Sequence, residues 1–121
     1  MSKELKLDDV INKDEVMERV GGDVELLMEI VEIFIGDYPR LMSNIKNAIT
    51  QSDSKGLERN AHALKGSVSN FAAASVYNIA LGLEVMGRNN NMSGADEVYT
   101  GLEREIEQLI CAFDLLRKEF L

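Results

Sequence analysis

Between a few short breaks, this chain spaces its apolar residues as a helix does and never alternates them as a strand does. The breaks are "VGGD" (residues 20–23), "QSDSKG" (51–56) and "NNNMSG" (89–94), each rich in the glycine, serine, asparagine and aspartate that end or cap helices. From residue 23 to about 51 the apolar positions are Leu26, Leu27, Ile30, Val31, Phe34, Leu41, Ile45, Ala48 and Ile49, a recurrence of three and four. Pro39 falls in the middle of that tract and removes a backbone donor. The reading is one long helix kinked near Tyr38-Pro39, with two abutting helices as the alternative. A third tract, capped somewhere in Ser52 to Ser54, reaches about Ser69, and a fourth runs from about Ala73 to Arg88. The last runs from about Ala95 to Glu119, with Leu102, Ile106, Leu109, Ile110 and Phe113 on one face. A weaker tract, residues 7–19, precedes them, with Asp8, Asn12 and Asp14 as candidate caps, and Asp23 is the expected cap of the long helix.

Long helices joined by short connections predict an all-α fold, an antiparallel up-down four-helix bundle with a short extra N-terminal helix. A length of 121 residues suits one domain spanning 1–121, with its core at about 10–118. A net charge of −8 argues against a broad basic face for nucleic acid or an anionic membrane. No apolar run approaches the length of a membrane span, and "MSKELKLDDVINKDE" lacks the core of a signal peptide, so a cytoplasmic location is expected. The lone Cys111 excludes an internal disulfide and a multi-cysteine metal site, and has no second histidine to activate it. Met17, Met28, Met42 and Met86 read as core or edge filling.

The single histidine, His62, stands in "NAHALKGSVSNFAAA" (residues 60–74) among small residues. Projected at 100° per residue, Leu57, Ala61, Leu64 and Val68 form the buried stripe of their helix. His62 lies roughly 120° from the centre of that stripe and faces solvent. Its neighbours one turn away are Glu58, Arg59, Lys65 and Gly66. An imidazole in water titrates near 6.5, so much of it is neutral and nucleophilic at pH 7 and able to hold a phosphoryl group as a phosphoramidate. Lys65 supplies a cation for that charge. Gly66, at a cost of up to about 1 kcal/mol relative to alanine in a helix interior, leaves the approach open. On this geometry alone an inert surface histidine is the commoner outcome.

"AHALKGSVSNFAA" (61–73) resembles the phosphorylation motif of histidine-containing phosphotransfer domains, approximately A-H-x-L-K-G-S followed by a small-residue turn. "RVGGDVELLMEIVEIFIGDYP" (19–39) resembles that family's helix entry, and "LEVMGR" (83–88) its L-E-x-x-G-R. The resemblance runs in order from about residue 10 to 116. It implies a phosphoryl carrier without catalytic machinery, His62 being the acceptor, Lys65 its electrostatic partner and Gly66 the access position. It also implies response-regulator receiver domains and a (hybrid) sensor histidine kinase as partners, with Mg²⁺ held only by the receiver. No cofactor or metal of its own is implied, and a monomer is expected.

Glu84 and Arg88 are one turn apart on the fourth helix, either an ordinary ion pair or part of a partner-facing surface. Arg59, Ser69, Tyr77 and Leu81 join them as the expected partner-binding set. Where the family usually has glycine ten residues after the histidine, this chain has Ala72, which implies a different turn or a modest strain. Two competing functions fit the same bundle: a non-phosphorylated adaptor or inhibitor, and an autonomous hydrolase using His62. The latter lacks a second base, a metal cluster and a nucleotide loop. The chain also fits one domain of a larger hybrid kinase.

Overall fold

The chain reverses at the breaks read from the sequence. The computed structural model describes residues 10–120, which form α1 (Lys13–Arg19), α2 (Val24–Thr50), α3 (Ser54–Ser69), α4 (Ala74–Arg88) and α5 (Ala95–Phe120). No strand occurs among the described residues. The four long helices pack cyclically, α2 on α3, α3 on α4, α4 on α5 and α5 back on α2. Their short connections make sequential neighbours antiparallel, giving the expected four-helix bundle.

Local chemistry sets the ends. Asn12 caps α1 by accepting from the Glu15 amide, Asp23 caps α2 through Leu26, and Asp53 caps α3 through Gly56. Of the other candidate caps for the first helix, Asp14 sits in its first turn. Asp8 lies outside the described residues, as do positions 7–9 of the expected first tract. Gly21 and Gly22 adopt φ of +63° and +77°, a conformation that glycine takes without steric penalty. α2 is unbroken through Pro39, so the two-helix alternative does not hold. Pro39 sits on the exposed side, where water can replace the lost donor.

The core is the set of inward stripes. Leu57, Ala61, Leu64 and Val68 of α3 are fully buried, as the projection required. On α5, Leu102, Ile106, Leu109 and Phe113 are buried and Ile110 lies at the margin. Phe34, Phe71 and Phe113 form an edge-to-face cluster with centroids 4.7–5.7 Å apart, each such pair contributing about 1 kcal/mol beyond burial. Leu26 departs from its expected place. It is 41% exposed, because the α2 seam runs through Leu27, Val31 and Phe34, one position away. Ile33, on the same outer flank, is 70% exposed. α1 closes one end of the bundle by burying Val16, pairing Lys13 with Glu119, and donating from Arg19 to the Ser69 carbonyl.

Ala72, in the α3–α4 turn, has φ of +51°, so the strain implied by the absent glycine is present. Left-handed backbone costs a residue with a Cβ about 1 kcal/mol or more.

Candidate functional site

The site begins with how closely α3 and α4 approach. A Cβ on Gly87 would lie 2.6 Å from the Glu58 nitrogen and 2.6 Å from the Ser54 carbonyl oxygen, distances that backbone cannot tolerate. Gly87 therefore lets the end of α4 lie directly on the start of α3. The contact brings residue 84 beneath residue 62.

His62 is on the outer side of α3, with its side chain 68% exposed. Its Nδ1 lies 3.2 Å from Oε2 of Glu84, a residue only 3% exposed. Glu84 is the buried charged residue among those described, and cations surround it. The Lys65 ammonium is 2.8 Å from Oε1 and the Arg88 Nη2 donates to Oε2 at 2.7 Å. The Lys65 contact is one of charge more than direction, since it leaves Oε1 without an aligned donor. Lys65, foremost, and then His62 hold the Glu84 carboxyl below its ordinary pKa, against burial, which pulls it upward. The group is thus ionised at neutral pH.

An ionised carboxylate only accepts hydrogen bonds, so the neutral imidazole meets it with Nδ1–H. The lone pair is then on Nε2, at the far side of an exposed ring. A buried anion below thus orients the ring and fixes its tautomer, much as a carboxylate does for catalytic histidines elsewhere. Beside His62 on α3, Ala63 and Gly66 are both exposed and small. A Cβ on Gly66 would meet nothing within 4 Å, so packing inside the chain does not require glycine there. Gly36, Gly82 and Gly101 are equally unobstructed; Gly66 differs in lying one turn from His62.

The remaining residues singled out in the sequence divide into two groups. Arg88 joins the centre, bridging Glu84 and Glu58, and Lys65 also stands 5.9 Å from the centroid of the Tyr77 ring. Glu84, expected on the partner-facing surface, lies under the ring instead. Tyr77 and Leu81 are half-buried along the α4 flank and Arg59 is exposed on α3. Ser69 is two turns from His62; its hydroxyl donates to the Gly66 carbonyl, and it lines an open cleft with Glu15, Arg19, Ala72, Ala73 and Tyr77. Two contributors were given no role in the sequence. Gly87 had its place in "LEVMGR" as a signal, and Glu58 was read as a one-turn neighbour of His62 but not as a partner of Arg88. Among the described residues no three His, Cys, Asp or Glu side chains gather as a metal site.

Residues 29–111, well over half the chain, match the Hpt domain family. The chain belongs to that family. Its fold agrees with the crystal structure of histidine-containing phosphotransfer protein B (HptB) from Pseudomonas aeruginosa PAO1, at a TM-score of 0.83 and 19% identity. That match covers 90% of this chain and 95% of the other. In sequence the chain is 22% identical over 98 residues to the phosphorelay intermediate protein rdeA of Dictyostelium discoideum, a match covering 81% of this chain. It spans 39% of the length of that relative. As an Hpt domain, this chain has a family-level role in phosphotransfer within two-component relays. No helix among its described residues is long and apolar enough to cross a membrane.

Proposed function

We propose that His62 is the phosphoryl acceptor of this Hpt domain, taking the group from the aspartyl phosphate of one receiver domain and giving it to the aspartate of another. The lone pair of Nε2 attacks phosphorus in line as the P–O bond to the donor aspartate breaks, and the carboxylate leaves with the bonding pair. Reversal on a second receiver returns His62 to its neutral form. The observation that carries this reading is the pairing of Nδ1 with the buried, ionised Glu84, which leaves Nε2 open on an exposed ring.

The chain acts as a carrier: a single nucleophile with a fixed tautomer supplies little beyond nucleophilicity and orientation. Mg²⁺ and the groups that stabilise the transferring phosphoryl belong to the receivers, and a sensor kinase, hybrid or separate, is the upstream source. The exposed surface around His62, with Arg59 and the Tyr77–Leu81 flank at its edge, is where a receiver docks. The domain works as a monomer in the cytoplasm.

The test is phosphotransfer from a panel of phosphorylated receiver domains to wild type and His62→Gln in parallel. Acid-labile, base-stable label on wild type alone is the expected result. Equal labelling of both proteins overturns the assignment. Binding of receivers without any label favours the adaptor function.

A further inference from the structure

Two cations stand beside His62, and in the resting protein both are already engaged. Lys65 and Arg88 each meet Glu84, on different oxygens, and Arg88 also donates from Nε to Oε2 of Glu58 at 3.1 Å. With His62 neutral, the two carboxylates balance the two cations. The phosphoryl group on Nε2 carries nearly two negative charges on its oxygens; with the proton kept on Nδ1 the ring becomes positive, so this balanced set gains about one net negative charge, placed on the outer side. Some cation must turn toward it for the phosphorylated ring to be stabilised by more than solvent.

The two cations are not equally free to do so. Glu84 is buried, and losing both partners would leave an unpaired charge out of water, so one cation stays. Lys65 is suited to stay: its side chain is 18% exposed and its ammonium rests between Oε1 and the Tyr77 ring. Arg88 is suited to move. Its side chain is 53% exposed, and its Nη2 shares the Glu84 oxygen that His62 Nδ1 approaches, so the guanidinium already borders the ring. Its remaining tether is Glu58, four residues before His62 on the same face of α3.

We infer that Glu58 is a positioning residue, a resting-state catch that holds Arg88 and competes with the phosphoryl group on His62 for its guanidinium. The inference rests on the proposed phosphoryl acceptor. Removing the charge of Glu58 while keeping its shape then releases Arg88 to the phosphohistidine and favours the phosphorylated form. An exposed pair of this kind corresponds to about a two- to fivefold change in an equilibrium.

The experiment is a competition. Equal amounts of wild type and Glu58→Gln are exposed together to phosphoramidate in ammonium buffer. The P–N bond of the donor breaks as the Nε2–P bond forms, and ammonia leaves; the ammonium present makes the exchange reversible. The expected equilibrium places about two- to fivefold more label on Glu58→Gln. The same competition between Arg88→Gln and the Glu58→Gln/Arg88→Gln double variant is expected to give equal label. Equal partition in the first competition overturns the inference. So does a bias that persists without Arg88, because it reports only the field of a lost negative charge. Thermal melts of all four proteins identify any loss of fold, and Glu58→Asp is expected to partition as wild type does. Wild type that takes no label at His62 defeats the acceptor assignment and this inference together, whereas labelled wild type with unbiased partition defeats this inference alone.

Discussion

Replacing Glu84 by glutamine removes one charge from the bundle interior and little volume, so its consequences can be worked from the contacts. Removing one partner of a buried ion pair costs about 3–5 kcal/mol when the other charge stays out of water. Of the three groups on Glu84, His62 is mostly exposed and Arg88 keeps Glu58, so neither is stranded. Lys65, at 18% exposure, is the group left poorly paired, and its flexible stem recovers part of its hydration. The expected loss is therefore about 2–3 kcal/mol near pH 7, or roughly 10 °C in Tm for a domain of this size. The pH dependence gives the sharper check. Lys65 and His62 depress the Glu84 pKa in the folded state, so the stabilisation is present above the unfolded pKa and is lost as pH falls through the lower folded one. Urea melts from pH 7 downward should show the two proteins converging below the ordinary carboxylate range. A difference under about 1 kcal/mol at pH 7, or one that stays constant in acid, would refute an ionised, charge-paired Glu84. Glutamine also presents both an acceptor and a donor, so ¹⁵N NMR of His62 should show a mixed tautomer where wild type shows Nδ1–H.

Gly66→Ala is expected to raise stability by about 0.5–1 kcal/mol, since its Cβ enters open space in a helix interior. The same variant should take label from phosphoramidate normally yet accept it at least about tenfold more slowly from a receiver, equivalent to about 1.4 kcal/mol of lost docking or transition-state contact; undiminished receiver transfer would remove the access role of Gly66. Ala72→Gly should stabilise the domain by about 0.5–1 kcal/mol in calorimetry by relieving a left-handed alanine, and an unchanged or lower Tm would show that the turn carries no strain.

The parts of this structure that were legible in the sequence depend on one helix at a time. The buried stripe of α3 and the exposure of His62 follow from a rotation of 100° per residue, which neighbouring helices do not alter. The breaks were legible because their residues act within a single turn: glycine at positive φ in residues 21 and 22, and aspartates accepting from the third amide ahead. What escaped depends on two helices at once. Residues 77, 81, 84 and 88 clearly share a face of α4, but the rotation of α4 against α3 decides that 84 goes under His62 while 81 stays at the margin. That rotation is set partly by Gly87. α4 also contains Gly82, and nothing local distinguishes the glycine that meets a backbone from the one that meets nothing. Leu26 escaped for a related reason. The N-terminal half of α2 is apolar on several flanks, so periodicity alone does not select the seam.

The placement of Glu84 accounts for how a surface histidine can be both accessible and defined. A group that must meet the pocket of another protein cannot be oriented by neighbours on its outer side, because those neighbours would occupy the path of approach. Here the ring is held from within, through Nδ1, by a carboxylate the bundle has covered, while Ala63 and Gly66 beside it on α3 are small and exposed. The burial that makes Glu84 costly in isolation also keeps it from being approached by a partner. Its charge is balanced by Lys65 and Arg88, which both stand beside His62. Substitutions on the inner side should therefore change stability and acceptor chemistry together. Those on the outer side should change which receiver docks and leave the reactivity of Nε2 toward a small phosphoryl donor as it was.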